Sequence, residues 1–132
     1  MKIDGKVKTG LGKGAYFISQ KFYSNEFRKN LGFVPFPGTL NVVVSDEYLD
    51  EINEIKDNCQ NLIKPDEGFG AVKYIEAVLN DEINGAIVFP AKTVHDVNYL
   101  EFIAENGLRD ELGLEDDDIV TLEFWYHKVF YI

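Results

Sequence analysis

Gly32-Phe33-Val34-Pro35-Phe36-Pro37-Gly38-Thr39-Leu40-Asn41 is the stretch around which the rest of the chain is organised. It holds two of the four prolines, and its polar side chains come only at the end, as Thr39 and Asn41. Proline at 35 and 37 fixes φ and holds each preceding residue in extended geometry. Gly38 is read as a point where a Cβ would obstruct the backbone. A strand starting at Thr39 sends Thr39 and Asn41 to one face and Leu40 and Val42 to the other. A stiff elbow thereby delivers a hydroxyl and an amide side by side. On its own, the stretch also reads as an ordinary Pro-Gly turn entering a strand.

Working upstream, Tyr23, Phe27 and Leu31 fall at i, i+4 and i+8, one face of a helix that Gly32 is placed to end. Before it comes Gly10-Leu11-Gly12-Lys13-Gly14-Ala15, a flexible loop whose amides can curve around an anion, followed by an apolar run at 16–18 that predicts a strand. It is neither a Walker loop nor a dinucleotide fingerprint, because no G-K-[ST] follows and no βαβ unit surrounds it. Residues 3–9 alternate around Ile3 and Val7 as a first strand.

Downstream, residues 39–44 are strand-like. Residues 45–64 are acidic, with a short helical period at Leu49, Ile52 and Ile55, and read as a solvated excursion without chemistry. A turn at 65–68 leads into a hairpin of strands at 70–79 and 85–89. Asp96 is a plausible N-cap for a helix over 97–105, with Val97, Leu100 and Ala104 buried and Glu101 at the margin of that stripe. A further short turn follows at 108–112. The acidic run 115–118 precedes a strand at 119–124 with Val120, Leu122 and Phe124 inward, and the aromatic tail is expected to pack down. About six strands and two or three helices without βαβ alternation predict a mostly β domain, a small closed barrel with helices outside.

The 132 residues suit one domain, 1–132, with 45% apolar content to fill a core. No apolar run reaches membrane-spanning length, and no signal peptide opens the chain. The single cysteine, Cys59, excludes an internal disulfide and fits a reducing cytoplasm. A net charge of −10 opposes nucleic-acid binding. The charge is uneven: Lys2, Lys6, Lys8, Lys13 and Lys21 are five of the 13 basic residues, so an anion is expected near this end, or else a solvated basic strand. No metal-spaced cluster of His, Cys, Asp and Glu is present. His95 reads as a pocket or a packing residue, Arg109 as a phosphate or base contact or a surface ion pair.

The elbow resembles the P-F-P-G-T-L-N signature of the archaeal CTP-dependent riboflavin kinases, and the resemblance runs through most of the chain. The family's glycine loop, elbow, D-G-A-I-V-x-P strand, T-x-H segment with a following glutamate, and L-R turn are matched in order by residues 10–17, 31–41 and 84–90, by Thr93, His95 and Glu101, and by Leu108-Arg109. The resemblance implies a six-stranded cradle-loop, Greek-key-like barrel. It implies transfer of a phosphoryl group from CTP to riboflavin, giving FMN and CDP with Mg2+. Gly10, Leu11, Gly12, Lys13, Gly14 and Ala15 would form one wall of the CTP site, and Asn106, Gly107, Leu108 and Arg109 the other. Thr39 and Asn41 look like the magnesium ligands, Thr93 and Glu101 like the riboflavin contacts, with Glu101 near the primary hydroxyl. Many relatives have an acid at the position of Lys13 and some an arginine at Ala15.

Phosphoryl transfer asks chiefly for positioning and charge neutralisation. A neutral hydroxyl and amide hold magnesium weakly, so the metal is expected to arrive with the nucleotide. The partners expected are small molecules, with no nucleic acid or membrane, and the protein is expected to be a cytoplasmic monomer. Two rivals stand beside this reading. One is a non-catalytic flavin- or nucleotide-sensing barrel related to archaeal transcriptional regulators, although the residues before Gly10 leave no space for a helix-turn-helix. The other is a flavin enzyme of different chemistry on a similar barrel, such as a lumazine-type binder or flavin synthase.

Overall fold

The computed structural model describes residues 1–10, 17–59, 61–64, 66, 68–90 and 98–125. Strand β1 (Lys2–Lys8) alternates exposed and buried residues along its length, as one wall of a barrel must. Helix α1 (Lys21–Leu31) follows and stops at Gly32, whose φ of 82° lets its N–H return to the Arg28 carbonyl. Then come β2 (Leu40–Val44), a 3-10 turn (Asp46–Tyr48), α2 (Leu49–Asn58) and the short β3 (Leu62–Ile63). The hairpin β4 (Val72–Leu79) and β5 (Ile83–Pro90) turns through Asn80 and Asp81, both at positive φ. Strand β6 (Tyr99–Ala104), the one-turn helix α3 (Leu108–Leu112) and β7 (Ile119–Phe124) complete the described chain.

Pairing is antiparallel throughout and runs β4-β5-β6-β2-β1-β7; β7 then pairs back with β4 through Ala77 opposite Phe124, which closes a barrel of six strands. Strand β3 adds to the free start of β4. Closure leaves no open edge in the ring. Two apolar clusters follow from the alternation. Inside lie Val7, Val42, Leu79, Ile87, Phe102 and Leu122 with their neighbours. Outside, α1 lays Tyr23 and Phe27 over Tyr74, Ala86, Val88 and Ile103, and the Tyr23 hydroxyl donates to the Gly70 carbonyl at 2.9 Å.

Four local expectations change. Residues 99–104 form strand β6, not a helix, with Leu100 opposite Val42 and Phe102 opposite Leu40. Leu100 and Ala104 satisfy either period, but Phe102 is 1% exposed and belongs only to the period of two. The aromatic and β-branched content of Tyr99, Phe102 and Ile103 agrees. Residues 17–19 are helical rather than extended, and there Phe17 stacks on Tyr23 at 4.5 Å while Ile18 is buried. The acidic 45–64 segment is no mere excursion, since Ile52 and Ile55 of α2 join the interior cluster at 2% and 4% exposure. Gly38 is not in the left-handed region, and a Cβ there would meet only Phe36 ring carbons at 3.7 Å. The proposed cap Asp96 lies outside the described residues, as does the tail beyond Trp125, whose own side chain is 63% exposed.

Candidate active site

The elbow is pinned before it enters β2. The Phe36 N–H donates to the Ala104 carbonyl at the end of β6, and the Gly38 N–H to the Phe36 carbonyl, both at 2.8 Å. Thr39 then stands at the start of a row on the outer face of the barrel. In that row Asn41 pairs with Lys8 on one side and with Glu101 on the other, and Glu101 pairs with Val88. Register across three strands therefore gathers three oxygen-bearing side chains. The Thr39 Oγ1 lies 3.3 Å from Asn41 Oδ1 and 3.3 Å from Glu101 Oε1. A hydroxyl has one proton to donate, so it serves one of these acceptors at a time.

Asn41 is 9% exposed, which is unusual for an amide on an outer face. The cover over it includes Gly10: a Cβ at that position would stand 2.3 Å from Asn41 Nδ2. The root of the glycine loop thus passes directly over the amide, an approach that only glycine permits. The rest of the loop, Leu11, Gly12, Lys13, Gly14 and Ala15, lies outside the described residues, as do Thr93 and His95.

The second wall forms around α3. Asn106, Gly107, Leu108 and Arg109 line a cleft of about 140 Å³ together with Phe36 and Thr39 of the elbow. Arg109 is tied to the loop root by an acid that sequence reading passed over. Its Nη2 donates to Asp116 Oδ1 at 2.6 Å, and the Thr9 hydroxyl reaches both Asp116 oxygens at 2.9 Å. The Tyr99 hydroxyl donates to the Thr9 carbonyl at 3.1 Å. Asp116 is placed by its turn, which bonds to β1 through Asp117 N–H to Val7 O at 2.8 Å and Val7 N–H to Asp118 O at 2.9 Å. The Arg109 guanidinium, then the Thr9 hydroxyl, hold the Asp116 carboxyl below its ordinary range. Burial pushes the Tyr99 phenol up, with the Asp116 and Glu101 charges adding to it.

The basic N-terminal end is partly engaged: Lys2 pairs with Asp81 at 3.0 Å, and Lys8 pairs with Asp117. Among the described residues no group of three or more His, Cys, Asp or Glu could hold a metal. The donor set at Thr39, Asn41 and Glu101 is instead hard oxygen, which suits magnesium in company with ligand oxygens rather than zinc or copper. Of the expected site residues, then, Gly10, Thr39, Asn41 and Glu101 come together, and Asn106 to Arg109 form a wall joined to them through Thr39 and through Asp116. Asp116, Thr9 and Tyr99 were missed. The only sequence signal is the acidic run 115–118 before β7, to which the sequence reading gives no role.

A closed antiparallel barrel with a glycine-loop root and an oxygen cluster on its outer face defines the class: a small six-stranded β-barrel with its candidate site on the outside of the wall. The family model CTP-dep_RFKase, described as a domain of unknown function (DUF120), matches residues 7–124. A riboflavin kinase of Methanobrevibacter smithii is 69% identical over 124 residues, covering 94% of this chain and all of that protein. Riboflavin kinases of Methanothermobacter thermautotrophicus and Saccharolobus solfataricus are 45% and 37% identical, covering 89% and 95% of this chain and 93% and 74% of theirs. The chain belongs to the CTP-dependent riboflavin kinase family.

Proposed function

We infer that this protein phosphorylates riboflavin to FMN, with CTP as donor and magnesium as the accompanying ion. The family supports the reaction, and one observation carries the assignment of residues: Thr39 Oγ1 stands 3.3 Å from both Asn41 Oδ1 and Glu101 Oε1 beside the root of the glycine loop. Phosphoryl transfer needs its two substrates aligned and the charge of the moving group met by fixed dipoles and cations. On this reading Thr39 and Asn41 hold the metal, which when bound neutralises phosphate charge. The loop amides from Gly10 to Ala15 and the wall from Asn106 to Arg109 hold the nucleotide. Glu101, with Thr93, acts chiefly by orienting the riboflavin primary hydroxyl.

Glu101 lies on the barrel wall at the register position next to Asn41, so acceptor and donor sites share one strand pair. The protein acts as a single-domain cytoplasmic monomer on small molecules. Among the described residues no helix is long and apolar enough to cross a membrane. Incubation with riboflavin, magnesium and each of CTP, ATP, GTP and UTP, followed by detection of FMN, tests the assignment. FMN formed with CTP is the expected result, and absence of FMN with every donor refutes it. Calorimetry with magnesium alone should show weak binding; tight binding without nucleotide would refute the roles given to Thr39 and Asn41.

A further inference from the structure

We propose that Tyr99 is a positioning residue: its hydroxyl aims the first amide of the glycine loop and ties that loop to the strand carrying Glu101. The inference rests on the kinase reading and gives a role to a side chain which that reading leaves unused. The Tyr99 hydroxyl donates to the Thr9 carbonyl at 3.1 Å. Strand β2 lies between β6 and β1, so the phenol meets a chain that has left β1 and is passing over β2. Gly10 marks this path, because a Cβ on it would stand 2.3 Å from Asn41 Nδ2 on β2. The Thr9 carbonyl and the Gly10 N–H belong to one planar trans peptide and point opposite ways. A donor that fixes the carbonyl therefore fixes the direction of that N–H, the first of the loop.

Three attachments converge on Thr9, and each leads to a different part of the site. Its hydroxyl meets both Asp116 oxygens at 2.9 Å, and Asp116 holds Arg109 of the second wall. Its chain neighbour Lys8 is the register partner of Asn41. Its carbonyl, through Tyr99, leads to β6, where Tyr99 and Glu101 lie two residues apart and hence on one face. Strand β6 thus carries both the carboxylate given to the acceptor and the pin of the loop given to the donor. Phosphoryl transfer depends on the placement of those two partners relative to each other. Burial raises the phenol, with the Asp116 and Glu101 charges adding to it, so it keeps its proton and remains a donor through the neutral range.

The test is Tyr99→Phe in the full-length protein, which deletes the hydroxyl and keeps the ring. Its control is Thr121→Val, which deletes a hydroxyl bonded to Asp4 Oδ1 at 2.8 Å, nearer the start of β1. Steady-state FMN formation and calorimetry with CTP plus magnesium should show KM and Kd for CTP raised about two- to tenfold in Tyr99→Phe, the range that one hydrogen bond spans. KM for riboflavin should stay at the wild-type value, and Thr121→Val should match the wild type in all three constants. Without any ligand, the NMR order parameter of the Gly10 amide should fall in Tyr99→Phe alone. The inference is overturned, with the kinase reading left standing, by unchanged CTP constants in Tyr99→Phe, by an equal loss for riboflavin or in Thr121→Val, or by a wild-type Gly10 order parameter. A wild type that forms no FMN with any donor overturns the kinase reading, and with it the role given to the aimed amide.

Discussion

Replacing Gly10 with alanine probes the contact between the loop root and Asn41. The added methyl would begin 2.3 Å from Asn41 Nδ2 and 3.1 Å from Cγ, whereas ordinary contact starts at 3.4 Å. Something must move by on the order of 1 Å, the scale of misplacement that can cost about 10²-fold in rate. Asn41 is 9% exposed and hemmed in by its strand neighbours, so either its Oδ1 leaves Thr39 or the glycine loop lifts. Both spoil the alignment of nucleotide and metal. Overpacking of this kind also costs about 1–3 kcal/mol in stability, a fall in melting temperature of roughly 4–10 °C for a domain of this size. The assay is steady-state FMN formation with CTP, paired with thermal melting, and the expected result is a kcat/KM lowered about 10²-fold in a protein that still folds. Gly38→Ala is the contrast, because its methyl would meet only ring carbons at 3.7 Å, and its melting temperature should match the wild type. Wild-type kcat/KM and melting in Gly10→Ala would refute the claim that the loop packs on Asn41.

Three further outcomes are expected. Glu101→Gln should keep measurable turnover, because an amide oxygen can still accept the riboflavin hydroxyl; complete loss of FMN formation with riboflavin affinity intact would instead make Glu101 the base. Asp116→Asn should raise the KM for CTP several-fold and leave that for riboflavin unchanged, since it weakens the tie between Arg109 and Thr9; equal changes in both would mark Asp116 as a fold residue only. The pH sign follows from its lowered pKa. The tie is complete above the ordinary carboxylate range and fails only as pH falls through the folded value, below the reference of 3.8. CTP affinity should thus show no step from this group between about pH 5 and pH 8. Ile52→Ala should destabilise by about 2–5 kcal/mol, read as a melting temperature lower by roughly 10 °C or more; a shift of a degree or two would return α2 to the surface.

Elements whose signal is local were legible in the chain. Helix α1 and its Gly32 stop, the β4–β5 hairpin and the inward Val120, Leu122 and Phe124 of β7 all follow from periodicity and turn residues that neighbours cannot overrule. The Thr39 and Asn41 pairing was legible from alternation too, although β2 itself starts at Leu40, one residue later than expected, and Thr39 meets Asn41 from just outside the strand. Strand β6 was not. Leu100 and Ala104 fit a helix as well as a strand, and the choice fell to the hydrogen-bonding groups of β2 and β5 on either side. That choice also moved Glu101 from a helix margin to the position beside Asn41.

By itself, then, the sequence determined the elbow, the alternation of its two polar residues, the glycine loop's place in the chain and the family's motifs in their order. Tertiary structure alone decided that Gly10 lies over Asn41, that Thr39 meets a carboxylate 62 positions away, and that Asp116 joins Thr9 to Arg109 across 107 and 7 residues. The physical reason is that such contacts are set by which strands become neighbours when the barrel closes. Closure depends on burying every inward side chain at once, and no single segment carries that information.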